Sequence, residues 1–253
     1  MALNLGLAAK TLTESLQLKL PPVGICALED VPQGIPTFSD RVAAGCKFWE
    51  LAADNVFATS AEHHALCSIG LYTHNLETTA RSQEDLGDAL KVFADLGYVR
   101  EEDLPLIPVL QRKPKALVYG PLDKLQAAPD AVILFVDPAQ ILVLSEAAQQ
   151  VEMTHMPALG RPACGVVPQA INTGRAALSL GCCGARAYVD ALKDDTALFA
   201  IPGAALDRYV ERIAALAKAN SILNSFHTLR KADVARGESP TVKESLARLQ
   251  AQS

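Results

Sequence analysis

The sequence is short of the features that usually announce a function. Of its 253 residues only 5% are aromatic, with a single Trp, and 23 Lys plus Arg against 28 Asp plus Glu leave a net charge of -5. An acidic chain without a basic stripe argues against nucleic acid and anionic membrane surfaces as partners. No apolar run approaches the roughly 18 residues of a membrane span, because the richest, around residues 132–144, is interrupted by Asp137 and Pro138. Residues 1–16 lack the charged start, apolar block and cleavage site of a secretory leader, so a reducing cytoplasm is the expected location. The P-loop, G-x-G-x-x-G, G-x-S-x-G and H-E-x-x-H are all missing, which removes the usual support for nucleotide, serine-hydrolase and zinc-peptidase chemistry.

Internal repeats, low-complexity tracts and Gly/Ser linkers are absent too, and half of the residues are apolar. Such a chain can bury a sizeable core, so residues 1–253 are expected to form a single domain, with a helical C-terminal segment from about residue 203. Residues 4–18 have helical spacing, and Val23–Leu28 reads as a buried strand after two prolines. Val42, Cys46, Trp49 and Ala53 recur at steps of four, three and four, which predicts a helix capped by Ser39 or Asp40 with Cys46 facing the core. Thr59 and Glu62 have capping-box spacing and would start a helix through His63, His64 and Cys67 toward Gly70. Residues 84–96 form another amphipathic helix ending at Gly97.

Strand character recurs at residues 116–119, 131–136 and 197–201. Asp137 and Pro138 supply an N-cap and a first helical residue, so residues 131–150 read as strand, tight turn and helix. Short helical segments are expected at residues 164–171 and around Arg186, and the stripe Leu206, Val210, Ile213 and Ala217 marks a C-terminal helix. The predicted fold class is α/β or α+β, a mixed sheet covered by several helices.

Six cysteines carry the chemistry. In a reducing compartment they are free thiols or metal ligands rather than bridges. None is paired as C-x-x-C, so zinc-ribbon and ferredoxin-type local motifs are absent and any shared site must draw ligands from separate segments. Packing alone accounts for many free cysteines, since the thiol behaves as a small hydrophobe, and Cys26 inside an apolar strand fits that account. Cys46, Cys67, Cys164 and Cys182 have other company. Glycines flank the Cys182-Cys183 pair, Arg161, Arg175 and Arg186 lie nearby in sequence, and His64 stands three residues before Cys67. Positive charge close to a thiol favours its thiolate, although the same arginines could instead lie at the surface or bind backbone carbonyls. His63 is read as a solvated residue near a helix start.

The segments GCKFWELA with Cys46, HHALCSIG with His64 and Cys67, GRPACG with Cys164 and SLGCCGARAY with Cys182 and Arg186 together resemble an uncharacterised prokaryotic family, domain of unknown function 169 (DUF169). The resemblance covers most of the chain. It implies that the thiols at 46, 67, 164 and 182 work together, and it places Cys183 at a variable position, as a bystander or substitute ligand. It supplies no reaction.

Soft thiolates in a cytosolic protein select iron–sulfur centres or zinc. The leading expectation is therefore an iron–sulfur cluster, [4Fe–4S] ahead of zinc, ligated by Cys46, Cys67, Cys164 and Cys182 or by three of them. Four thiolates suit electron transfer with a redox partner protein. Three, or His64 as a weak fourth ligand, would leave iron free to bind a small anionic substrate as a Lewis acid, oriented by Arg161 and Arg186, as in a redox enzyme or lyase. Two alternatives share the same residues: a non-catalytic zinc or thiol redox sensor, and a metal-free enzyme with Cys182 as nucleophile assisted by His64 and Arg186.

Overall fold

The computed structural model describes residues 4–30, 33–153, 158–159 and 162–251. In chain order the elements are α1 (Leu5–Leu16), β1 (Val23–Leu28), α2 (Lys47–Leu51), β2 (Phe57–Thr59), α3 (Ser68–Thr73), α4 (Ala80–Asp95), β3 (Ala116–Pro121), β4 (Ala131–Val136) and α5 (Pro138–Glu152). These are followed by β5 (Ala158–Leu159), α6 (Val166–Thr173), β6 (Ala177–Ser179), α7 (Cys183–Tyr188), β7 (Ala197–Pro202), α8 (Leu206–Ala235) and α9 (Val242–Gln250). The strands form one seven-stranded sheet in the order β2-β3-β1-β4-β7-β6-β5. Every pairing is antiparallel except β5 with β6, so the sheet is mixed, as expected from the sequence.

The central strands are buried on both faces, and their period of two sends alternate side chains to two different cores. In β4, Val132, Leu134 and Val136 face one way with Phe199 and Ile201 of β7. Ile133 and Phe135 face the other way with Leu198 and Ala200. The first face is covered by regular helices. Ala8, Ala9, Leu12 and Leu16 of α1, Val143, Leu144, Ala147 and Ala148 of α5, and Leu206, Tyr209 and Ile213 of α8 pack there. Helix α5 starts as the sequence dictates: Asp137 accepts from the backbone N–H of Gln140, whose side chain reaches back to the N–H of Asp137.

The second face is covered by short pieces. The predicted helix over residues 39–53 is reduced to α2, although Val42, Cys46, Trp49 and Ala53 are all buried as their spacing requires. Tight turns through Ala44 and Gly45 bury the same side chains without continuous helix. The predicted helix through His63 toward Gly70 is split. A 3-10 turn at Ala61–His64 is capped by Ser60, whose N–H and hydroxyl both meet His63 Nδ1 at 3.0 Å, and the chain leaves helical geometry at Cys67 before α3 begins. The cap falls one residue later than Thr59, because the Thr59 hydroxyl is engaged by Leu117 O and His64.

Candidate functional site

Four chain segments converge on the second face, each delivering one thiol at a helix start. Cys46, Cys67 and Cys182 immediately precede α2, α3 and α7, and Cys164 lies in the 3-10 turn Ala163–Gly165 that leads into α6. Each of the four stands within electrostatic reach of the other three: ionising any one raises the cost of ionising its neighbours. Burial is nevertheless the main influence. It pushes the Cys46 thiol up to about 12, lifts Cys164 well above its ordinary range and raises Cys67 as well. The backbone of Gly45 and Gly70 beside Cys67 pulls its thiol partly back toward the thiolate. Burial therefore keeps Cys46, Cys67 and Cys164 as thiols at neutral pH.

The same face buries polar groups that a core would not ordinarily bury. His64 and Thr73 are 0% exposed, and His74 and Thr59 1%. His64 packs against the Phe48 ring at 4.9 Å between centroids and against His74 at 5.8 Å. Tyr119 projects from β3 onto the same face as Leu117, within electrostatic reach of Cys46, Cys67 and Cys164. His64 Nδ1 and His74 Nε2 are buried without hydrogen-bond partners, and the buried Tyr119 hydroxyl has the Thr59 hydroxyl as its polar neighbour. Burial holds both imidazoles neutral, His74 down at about 4 and His64 well below the usual histidine range, and holds Tyr119 as a neutral phenol.

Two glycines are dictated by this packing. A methyl on Gly45 would stand 2.8 Å from His64 Nδ1 and 3.9 Å from Cys67 Sγ. One on Gly70 would stand 3.0 Å from Cys67 Sγ and 3.4 Å from His64 Nδ1. An ion-paired clamp fixes two of the thiol segments relative to each other. Lys47 Nζ meets Glu50 at 2.9 Å and Asp190 at 2.7 Å, and the Asp190 N–H donates to Glu50 at 3.0 Å, tying α2 to the turn after α7.

The other residues singled out from the sequence lie as follows. Arg186 donates to the carbonyls of Leu180, Lys193 and Thr196, the structural one of the two roles open to it. Arg161 lies outside the described residues. Cys183 is exposed, and its backbone N–H donates to the Tyr98 hydroxyl at 3.3 Å. His63 serves as the capping partner of Ser60. Cys26 belongs to a separate small cluster with Ala58, Val118 and Leu125, where burial pushes its thiol up to about 11. Thr59, Thr73, His74 and Tyr119 were missed. The available signal was a phenol and a hydroxyl in strands otherwise built of apolar residues.

These donors fit a thiolate-held metal centre in kind: soft ligands from four segments, unpartnered polar atoms around them, and glycines where any side chain would intrude. Among the described residues no group of three or more His, Cys, Asp or Glu side chains is arranged to grip a single metal ion. Two thiolates on one zinc stand at most about 4.6 Å apart, twice the Zn–S bond of about 2.3 Å. Ligands of a polynuclear cluster, each on its own iron, are more widely spaced.

The fold and the site thus define a mixed-sheet α/β protein with four thiols gathered on one face of the sheet. The chain belongs to the family DUF169, described as uncharacterised ArCR, whose model matches residues 11–212. It is similar to an uncharacterized protein of Methanocaldococcus jannaschii, at 27% identity over 224 residues, 81% of this chain and 91% of the relative. No solved structure matches. The matched span contains all four of these thiols, His64 and Tyr119.

Proposed function

We propose that this chain is an iron–sulfur protein in which Cys46, Cys67, Cys164 and Cys182 hold a [4Fe–4S] cluster that serves a redox role. The observation that carries the reading is the mutual electrostatic reach of four thiols from four separate segments. When bound, such a cluster supplies one-electron transfer or, at an iron lacking a thiolate, a Lewis-acid position. The protein's part is to hold and shield. Cys46 and Cys164 are each 6% exposed, so bulk water is kept from the inner side of the pocket, while Cys182 and Cys67 are partly accessible and form its mouth. The Lys47–Glu50–Asp190 clamp keeps the Cys46 and Cys182 segments in register.

The electron-transfer branch draws more support than Lewis-acid chemistry on a small anion, because Arg186 spends its donors on carbonyls. The same commitment weakens the Cys182 nucleophile reading, which relied on Arg186.

The test is anaerobic purification followed by iron, zinc and acid-labile sulfide analysis and visible absorption spectroscopy. Brown protein with matched iron and sulfide, lost on replacing Cys46, Cys67 or Cys164 by Ser, is the expected result. Protein with neither iron nor sulfide after anaerobic reconstitution overturns the reading.

A further inference from the structure

Residues 80–103 and 183–195 hold the acidity of the protein. Together they carry ten Asp and Glu against five Lys and Arg, an excess equal to the net charge of -5 of the whole chain. The first segment comprises α4 and the start of the 3-10 turn at Glu101–Leu106, and it is poorly covered. Leu86, Leu90 and Phe93 recur at steps of four and three, the spacing of a helix face that packs, yet all three are only partly buried. Ser82 alone is buried in α4, and the 3-10 turn buries nothing. The second segment is α7 and the turn after it, which ends in the exposed pair Asp194 and Asp195.

The two acidic segments meet at the accessible thiols. The Tyr98 hydroxyl, just beyond α4, accepts from the backbone N–H of Cys183 at 3.3 Å, and Cys67 and Cys182 are the two partly exposed sulfurs of the four. Leu66 and Leu180, next to these thiols in sequence, and Tyr98 and Tyr188 are each half or more exposed. Apolar and aromatic side chains inside a charged rim have the anatomy of a protein–protein interface. The sign of the rim selects the occupant. A second copy would press two acidic rims together, which opposes association, and nucleic acid or anionic lipid would be repelled in the same way. We propose that this face docks a redox protein with a basic rim and an apolar centre, and brings it to Cys67 and Cys182, the least shielded thiols of the site. One electron would leave the reduced cluster and reduce the partner, with no bond made or broken. That exchange rests on the cluster reading above and deepens it, whereas the docking face stands on exposure and charge.

The probe is cytochrome c, a basic haem protein, and its succinylated form is the acidic counterpart with the same haem. Binding is measured by calorimetry on the full chain as purified, and electron transfer by stopped-flow mixing of each probe with the chain reconstituted anaerobically and reduced. The unsubstituted chain should bind and reduce cytochrome c at least about tenfold better than the succinylated form, and high salt should erase the difference. Glu101→Lys, Glu102→Lys and Asp194→Lys combined should weaken both by about tenfold. The same charge change across the sheet, Glu14→Lys, Glu146→Lys and Glu211→Lys on α1, α5 and α8, should weaken them by about threefold at most. Iron and sulfide content is read in every sample. Equal binding of the two probes, or equal losses in the two triple variants, in protein carrying iron and sulfide overturns the docking face and leaves the cluster standing. A chain without iron or sulfide that still selects cytochrome c through this face supports the docking surface and overturns the cluster reading together with the partner's redox role. A dimer in sedimentation that cytochrome c cannot displace would assign the face to a second copy and overturn the proposal.

Discussion

The two faces of the sheet are made from the same strands and obey opposite rules. Under α1, α5 and α8 the sheet-facing side chains are mostly apolar and the covering helices are long, and the charges buried there are paired: Tyr209 donates its hydroxyl proton to Glu152 at 2.6 Å, and Asp233 meets Arg248 at 2.6 Å. On the other face the cover is α2, α3, α6, α7 and turns, and it encloses four thiols, two neutral imidazoles and the phenol of Tyr119, several of them without partners. Packing and a few paired charges explain the first face. The second keeps polar atoms in low dielectric at a cost, and such costs persist where a bound guest offsets them.

The largest expected effect separates the faces by readout. Leu144, 0% exposed on α5, is closed in by α1, α8 and the sheet. Leu144→Ala should cost about 2–5 kcal/mol in urea unfolding of the metal-free protein, with iron bound per folded molecule unchanged. Cys164→Ser should do the reverse, abolishing iron and sulfide retention while moving metal-free stability much less. Equal losses of stability and of metal in both variants would break the division.

Next in size is Gly45→Ala. Its new methyl would press on His64 Nδ1 at 2.8 Å, so about 1–3 kcal/mol of overpacking is expected together with loss of the metal centre. At Gly87 of α4, where a methyl meets nothing within 4 Å, the same change should be neutral or slightly stabilising and leave metal retention intact.

A third measurement uses pH. His74 is held at about 4 and His64 well below its ordinary value, both by burial, so the unfolded chain binds protons that the folded chain refuses. Their stabilising contribution is complete above the unfolded value of about 6.5 and is lost as pH falls toward 4. The expected slope is about 1.4 kcal/mol per pH unit for each histidine across that window. Urea midpoints between pH 7 and 4.5 check it: His74→Asn should flatten the slope, whereas Leu144→Ala should shift the curve and keep its steepness. An unchanged slope in His74→Asn would remove this histidine from the acid response.

The helical face was the legible one in secondary structure. β4, the Asp137 cap and α5 follow from residues 131–150 almost as written, because apolar runs and capping chemistry act locally. On the site face, residue type and company were the signal instead. Cys46, Cys67, Cys164 and Cys182 could be named from residue type and company, while the helix expected across residues 39–53 was not formed. The 4-3-4 spacing of Val42, Cys46, Trp49 and Ala53 reports burial, and a turning chain wrapped around a pocket buries the same residues as a helix would. Strand order, the short strand β2 and the recruitment of Tyr119 and Thr59 depend on contacts far apart in sequence, such as Phe57 opposite Tyr119. No local pattern encodes them.

Tyr119→Phe carries the smallest expected effect and makes the sharpest comparison, since the same substitution can be applied to Tyr209 on the other face. Tyr209→Phe removes a hydroxyl that donates to the nearly buried Glu152 carboxylate, and that oxygen keeps only the Ala176 N–H. Hydrogen bonds to charged groups contribute about 1.5–3 kcal/mol, so the variant should be destabilised on that scale. Tyr119→Phe removes a buried hydroxyl whose polar neighbour is only the neutral Thr59 hydroxyl, so the metal-free protein should change by no more than about 1 kcal/mol. A larger loss should appear once the centre is loaded if the Tyr119 hydroxyl contacts the guest, because the variant then forfeits a partner that exists only in the bound state. Thermal or urea unfolding of both variants, metal-free and reconstituted, reads all four values. Destabilisation of metal-free Tyr119→Phe to the same extent as Tyr209→Phe would mean that the Tyr119 hydroxyl belongs to the core, and the contrast between the faces would fail where it was drawn most finely.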